Sequence, residues 1–446
     1  MFIRFARKHA IIPFAIFGAT IIALLSHSIH AAKDDIRISL RDMEGDRSAL
    51  QDVVLEGILG DGFHETAFEI SGGKLSSRTK IYEDAKPVRS YYLPGKLISS
   101  GFPIDSIQAR DFIYSVIDEP FSFNRISIGK YDLQQRMIGS SKLKLNISST
   151  AGNTYSNTPN YGLAVIGGKA YFTPLVTLDY SGTSGIYETL GFFNGGDEER
   201  PDEESRLLAS LDLEGNNSYK GTGLEVLGLE AVGNKLALIA ARNGEVIVQG
   251  YDSESGELLG EAAVGEYVRG GSKDSEAGSA IARGVNEQYH ADVDMDSQMI
   301  NLSFRTSEST QEEWVQAVAS VSLADGVELL NKQDVRIKGR FSSDRDFTMY
   351  SYRNGKLYLA MSKVIDEEAG DLGHPTSGLA ARSLTIRVYE GGKQMYIGEL
   401  ATDMNEDFIE DYFMGQNQMN MHKGLSMYRL WKGLRFRDAT DASSLE

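Results

Sequence analysis

His290, Asp292, Asp294 and Asp296 stand at every second position, so on a β-strand their side chains share one face while Tyr289, Ala291, Val293 and Met295 take the other. Carboxylates and an imidazole at that spacing suggest a hard cation, and acids at alternate positions are the pattern of a calcium loop. The pattern then fails. Counted from Asp292, the sixth position is Ser297 where glycine is needed, and the twelfth is Ser303 where a bidentate glutamate would stand. The stretch is therefore expected to be a wet strand face. A second set, Asp366, Glu367, Glu368, Asp371 and His374 between Val364 and Arg382, carries oxygen donors that would suit calcium better than zinc and reads as a solvated loop.

Signatures of catalysis are sparse. No Gly-x-Ser-x-Gly elbow occurs, and His64-Glu65 is followed by Thr66, Ala67 and Phe68 rather than by the second histidine of a zinc-protease helix. With no cysteine at all, disulfides, thiolate metal sites and a cysteine nucleophile are excluded. Beyond the N-terminal segment only His64, His290, His374 and His422 could act as a histidine base. A glycosidase-type carboxylate pair is defined by separation in space, so 63 acidic residues do not narrow to a nomination. No catalytic, cofactor-binding or metal-binding residue is assigned, and no cofactor is expected.

The elements that would position any site begin with the N-terminus. Arg4, Arg7 and Lys8 precede an uncharged run from Ala10 to Ala32, 23 residues with a strongly apolar core from Ile11 to Leu25. As a helix this run would reach about 34 Å, enough for a bilayer. Two outcomes stay open: a membrane anchor that is kept, or a signal peptide cleaved near Ala31. Basic residues before the run and Asp34-Asp35 after it place the rest outside the cytoplasm. Taking the three basic residues of positions 1–31 from the 45 in the chain leaves 42 against 63 acidic ones, a net of −21. Such a surface repels phosphate backbones, so nucleic acid is excluded as the expected ligand. The most basic stretch, Arg429, Lys432, Arg435 and Arg437, alternates with Leu430, Trp431, Leu434 and Phe436 and reads as a strand pair with one solvated face.

From Ile36 onward apolar residues alternate, as in Ile36, Ile38 and Leu40 or Leu236, Leu238 and Ala240, which predicts half-buried antiparallel strands. One turn recurs. Val165 to Phe172 resembles Ala231 to Leu238 and Ser351 to Tyr358, and Val293 to Ile300 fits the same frame with Gln298 in place of lysine. The aligned positions 169, 235, 298 and 356 are 66, 63 and 58 residues apart. A second hairpin follows in each repeat, with turns at Asp252–Gly256, Leu323–Gly326 and Glu390–Lys393. A four-stranded unit of about 60 residues leaves an apolar face and two edges uncovered, and radial stacking covers them. The reading is all-β: a β-propeller of about six four-stranded blades, preceded by an N-terminal signal or anchor helix. Blades are expected around Phe112–Leu145, Leu163–Leu213, Leu236–Ala263, Tyr289–Leu330 and Phe347–Leu400, with a sixth formed where Leu425–Phe436 pairs with N-terminal strands. The competing architecture is a row of β-sandwich modules.

The expected division is 1–32 signal peptide or anchor, 33–100 a β-meander that either joins the closing blade or stands apart, 101–438 the propeller, and 439–446 a disordered tail. The two-hairpin repeat, and Ile247 to Leu259 with its acidic-to-glycine turn, resemble bacterial-type exported β-propellers of the broad PQQ-like and WD40-like repeat class. Only Trp314 and Trp431 occur, so no WD or kelch tryptophan recurs, and the resemblance implies the fold class and no quinone. The insertions Asn194–Ser205, Gly265–Glu287 and Val364–Arg382 would sit at blade rims, where propellers bind ligands. The function expected is a monomeric, extracytoplasmic binding module for an envelope protein or polymer, tethered if the helix is kept and secreted if it is cleaved. The alternative is an extracytoplasmic hydrolase or lyase acting on a glycan through carboxylates of the propeller funnel.

Overall fold

The computed structural model describes residues 17–22, 37–60, 64–82, 92–93, 96–97, 106–109, 111–118, 125–132, 136–144, 146–149, 162–174, 176, 178, 180–194, 204–217, 220, 222–269, 281–283, 289–310, 313–338, 348–362, 383–403 and 430–439. Residues 17–22 are helical, and strands dominate the remainder. Among the described residues no helix is long and apolar enough to cross a membrane. The rest of the expected signal or anchor lies outside the described residues.

Among the described residues the strands form six main sheets, the blades of a β-propeller, numbered in chain order. Blade 2 is Ser106–Ala109, Phe112–Asp118, Arg125–Asp132 and Met137–Lys144. Blade 3 is Gly162–Ile166, Lys169–Thr173 and Tyr180–Thr189, the last pairing with both Asn146–Ser149 and Ser205–Leu211. Blade 4 is Leu224–Val232, Lys235–Arg242, Glu245–Asp252 and Leu258–Arg269, with Ile281–Arg283 added in parallel. Blade 5 is His290–Asp294, Met299–Arg305, Glu313–Ser322 and Glu328–Lys338. Blade 6 is Thr348–Arg353, Lys356–Ser362, Ser383–Glu390 and Lys393–Thr402, with Ile38–Gly45 as a fifth strand beside the last. Blade 1 begins with Leu430–Asp438, followed by Val53–Gly60, His64–Ser71 and Lys74–Ile81. By its contacts the chain divides into two units, 1–88 with 365–386 and 397–446, and 89–364 with 387–396.

In the larger unit the first strands of successive blades are neighbours: Ser106–Ala109, Gly162–Ile166, Leu224–Val232, His290–Asp294 and Thr348–Arg353. Each strand behind them buries both faces. Along Lys235–Arg242, Leu236, Leu238 and Ala240 join a cluster with Ile186, Ala209 and Tyr171 of blade 3. Ala237, Ile239 and Ala241 join another with Ile300, Leu302 and Ala319 of blade 5. Period-two alternation thus sorts residues between two neighbours rather than between core and water. A row of separate sandwiches would leave one of those faces wet. Burial then fades outward: Glu313–Ser322 is buried along nearly its whole length, whereas the outer strand Glu328–Lys338 alternates with exposed residues.

The smaller unit contains blade 1, where Val53 pairs with Asp438, Leu55 with Phe436 and Leu59 with Trp431. This puts the Val53–Ile81 meander and the C-terminal strand in one sheet. Trp431 is buried, edge-on to Phe68 at 5.5 Å.

The recurring turns connect the first two strands of their blades. Asn354 and Gly355 both have positive φ, 53° and 78°, which is what a two-residue hairpin turn matched to the strand twist requires. Blade 5 departs from the frame. His290 pairs with Ser303 and Asp294 with Met299, so four residues form the turn, and Gln298 lies in it at φ 50° rather than opening the strand as the alignment with lysine implied. Blade 4 also starts earlier than the expected Leu236. Its inner strand, Leu224–Val232, is buried at almost every position, so it has no alternation to read.

Leu238→Ala and Ile239→Ala should each lower the unfolding free energy by about 2–5 kcal/mol, because both are fully buried on opposite faces of one strand. Urea denaturation measures both, and a loss confined to one of the two would contradict the two-sided packing.

Candidate functional site

The acidic strand His290–Asp294 is the inner strand of blade 5, and the side of it that carries Asp292 and Asp294 faces blade 6. Asp292 Oδ2 accepts the backbone N–H of Tyr350 at 2.7 Å and lies 3.1 Å from His290 Nε2. Asn301, on the adjacent strand, accepts the N–H of Tyr352 at 3.2 Å through Oδ1. Asp294 takes the guanidinium of Arg353 and also the backbone N–H groups of Asp296 and Ser297. The Asp294 and Arg353 side chains are only 12% and 8% exposed. These side chains stand in for the missing strand partner along the junction of two blades, and so satisfy backbone groups that the fold would otherwise strand.

The wet face expected for this stretch is therefore corrected for Asp292 and Asp294. Ala291 and Val293 pack against the apolar cluster shared with blade 4, as alternation requires. Asp296 lies in the turn and is exposed. Among the described residues no group of three or more His, Asp or Glu side chains is placed to hold a metal ion. The second acidic set, 366–374, lies outside the described residues, as do His422 and Arg429.

Behind this junction the hydroxyl of Tyr350 donates to Gln316 Oε1. Burial first, and the nearby Tyr389 and Asp292, push that hydroxyl well above the ordinary tyrosine value, so it remains a neutral donor. Blade 4 holds a related chain of hydrogen bonds on its other face. Tyr251 donates to Gln249 at 3.0 Å, Gln249 donates to Glu261 at 2.8 Å, and Arg242 pairs with the same carboxylate. Burial and Glu261 raise Tyr251 to about 12.

Two carboxylates on the inner strand of blade 4 bear on the funnel-enzyme alternative. Tyr289 donates to Glu230 at 2.6 Å and Tyr267 to Glu225 at 3.5 Å. Glu225 and Glu230 are buried and five positions apart along a bulged strand, a separation of roughly 16 Å or less at ordinary strand rise. The inner-strand carboxylates Asp292, Asp294, Glu225 and Glu230 are thus all engaged by protein donors. Glu204, the last acid of the Asn194–Ser205 insertion, is likewise buried: it accepts the N–H of Lys142 at 2.6 Å, while its carbonyl accepts Ser141 Oγ at 2.7 Å. The preceding acids Asp197, Glu198, Glu199, Asp202 and Glu203 lie outside the described residues. In the smaller unit, Arg435 and Arg437 of the basic stretch both pair with Glu56, and Arg437 reaches Glu69 at 3.1 Å.

Sequence reasoning singled out the acids of blade 5 and missed Arg353 and Tyr350. A signal was present: Asp294 and Arg353 close the inner strands of consecutive repeats, immediately before their turns, so opposite charges occupy equivalent positions one repeat apart.

No family model matches the chain, and no curated protein matches it. Similar solved structures include quinohemoprotein alcohol dehydrogenase ADHIIG from Pseudomonas putida HK5, at 12% identity and TM-score 0.31, covering 68% of this chain and 42% of that one. The chain thus spans less than half the length of that dehydrogenase. Others are the Nup133 β-propeller domain of Vanderwaltozyma polyspora, at 12% identity and TM-score 0.27 over 82% and 99% of the two chains, and Synechocystis apocarotenoid oxygenase, at 8% and 0.27 over 83% and 94%. Likenesses of this degree carry nothing about ligand or chemistry.

Asp294→Ala strands a buried guanidinium and should cost about 3–5 kcal/mol, most of it recovered in Asp294→Leu with Arg353→Met. Thermal or chemical unfolding of the two variants checks this. Glu188 supplies a pH test. Burial pushes its carboxyl up, but Lys169 and Arg206 more than reverse this and hold it below the ordinary 4.5. The folded state therefore favours the ionised form, a contribution complete above pH 4.5 and lost as the pH falls through the depressed value. In Glu188→Gln the decline of stability below pH 4.5 should be shallower than in the unmodified protein.

Proposed function

We propose that this protein is an extracytoplasmic β-propeller, membrane-tethered or secreted, that binds an envelope protein or polymer without chemistry of its own. The observation that carries this reading is the engagement of these inner-strand carboxylates: Asp292, Asp294, Glu225 and Glu230 all receive donors from the protein itself. Acid–base catalysis needs a carboxyl group free to exchange a proton with substrate. Carboxylates engaged in this way are poorly suited to that, whereas a propeller with insertions between its strands suits recognition. The charged start and apolar run before Asp34, with a net of −21 beyond them, support an address outside the cytoplasm and a partner that is not a polyanion.

The region 34–446, immobilised and exposed to envelope extracts, should retain a protein or polymer, while the same preparation run against a panel of glycans should release no product. Hydrolysis of a glycan with nothing retained would overturn the binding reading in favour of the enzyme.

A further inference from the structure

Blade 2 holds an ammonium group among three aromatic rings. Phe112 and Tyr114 are two positions apart on one strand and so share a face. The next strand pairs Tyr114 with Lys130 and Phe112 with Asp132, which sets Lys130 directly across from Tyr114 and diagonally from Phe112. The third ring, Phe192, comes from the segment that follows the third strand of blade 3. That segment is pinned by reciprocal backbone hydrogen bonds between Ser140 and Phe193 at 3.0 and 2.9 Å. A Cβ at Gly139 would come within 2.9 Å of the Phe192 carbonyl carbon, so glycine there permits the approach. Lys130 Nζ lies 4.0 Å from the Phe112 centroid, 5.5 Å from that of Phe192 and 5.6 Å from that of Tyr114. Phe192 and Tyr114 meet edge-on at 5.6 Å and 61°.

Among the described residues Lys130 makes no ion pair or hydrogen bond with a side chain, and Asp132, two positions on, is taken by the backbone and side chain of Arg136 at 2.9 and 2.7 Å. In a chain with 63 acidic side chains this cation sits against ring faces instead. Three rings around a cation, with no anion beside it among the described residues, are the recognition chemistry of a quaternary ammonium. We infer that Phe112, Tyr114 and Phe192 form a binding site for a trimethylammonium group, and that Lys130 is its resident occupant in the absence of ligand.

Exchange is physically reasonable because the two cations differ in hydration. A primary ammonium on a flexible four-carbon stem is strongly hydrated, and Lys130 is half-buried, so its head can swing into water. A trimethylammonium surrenders less hydration and presents a methyl group to each face. This site stands independently of the binding role proposed above.

Choline chloride, titrated calorimetrically into the full chain, is the probe. Lys130→Ala should bind choline roughly 2- to 30-fold more tightly than the unmodified protein, the range that removing a competing cation–π interaction corresponds to. Adding Phe112→Leu should abolish that binding, and 3,3-dimethylbutanol, the neutral isostere, should not bind. Circular dichroism establishes that each variant is folded. A folded Lys130→Ala protein that ignores choline, that binds the neutral isostere equally well, or that keeps its affinity without Phe112 would overturn the inference. A parallel arm uses phosphatidylcholine vesicles: retention on them assigns the ammonium to a lipid headgroup, and binding of choline without retention assigns it to a small soluble ligand.

Discussion

The structure depends on sheets that are apolar on both faces. Along Lys235–Arg242 one set of alternate residues enters the cluster with blade 3 and the other set enters the cluster with blade 5. A sheet of this kind cannot stop at one partner, because whichever face is left open would expose Leu238 or Ile239 to water. The cluster of Trp314, Val318, Leu357 and Leu359 continues the arrangement between blades 5 and 6, and that of Ile128, Leu163 and Phe172 extends it between blades 2 and 3. Sheet stacked on sheet is thus the consequence of strand composition.

Polar groups at the inner strands answer a second constraint. In the larger unit the first strands of successive blades lie side by side without forming a common ladder, so backbone N–H groups such as those of Tyr350 and Tyr352 need side-chain acceptors. Asp292 and Asn301 provide them. The pairing of Asp294 with Arg353 closes the same junction. Two buried charges contribute little net stability relative to a well-packed apolar pair. What they add is register, since a slip of one residue would leave both charges without a partner. The acidic strand that resembles a cation site in the sequence is in this way accounted for by the joining of blades.

The candidate site was legible only in part. The turns at Gly167-Gly168 and Asn354-Gly355 could be read because positive φ at consecutive residues demands a small set of residue types within four positions. The strand Leu224–Val232 escaped, since burial on both faces removes the alternation that marks a strand. The sharing of a face by Asp292 and Asp294 followed from spacing alone, but whether that face met water or another blade did not. Lys130 was not legible at all: Phe112 and Tyr114 are close in sequence, while Phe192 reaches the ammonium from the next blade.

The sequence by itself determined the class of element, the places where the chain turns and the repetition of one hairpin frame, because each of these rests on interactions within a few residues. Tertiary structure alone decided which groups meet: Asp294 with Arg353 across 59 positions, Val53 with Asp438 across nearly the whole chain, and the ammonium of Lys130 with three rings. Such meetings depend on how far one sheet is rotated and shifted against the next. That offset is set by the summed packing of two large apolar faces, and no short stretch of residues encodes it.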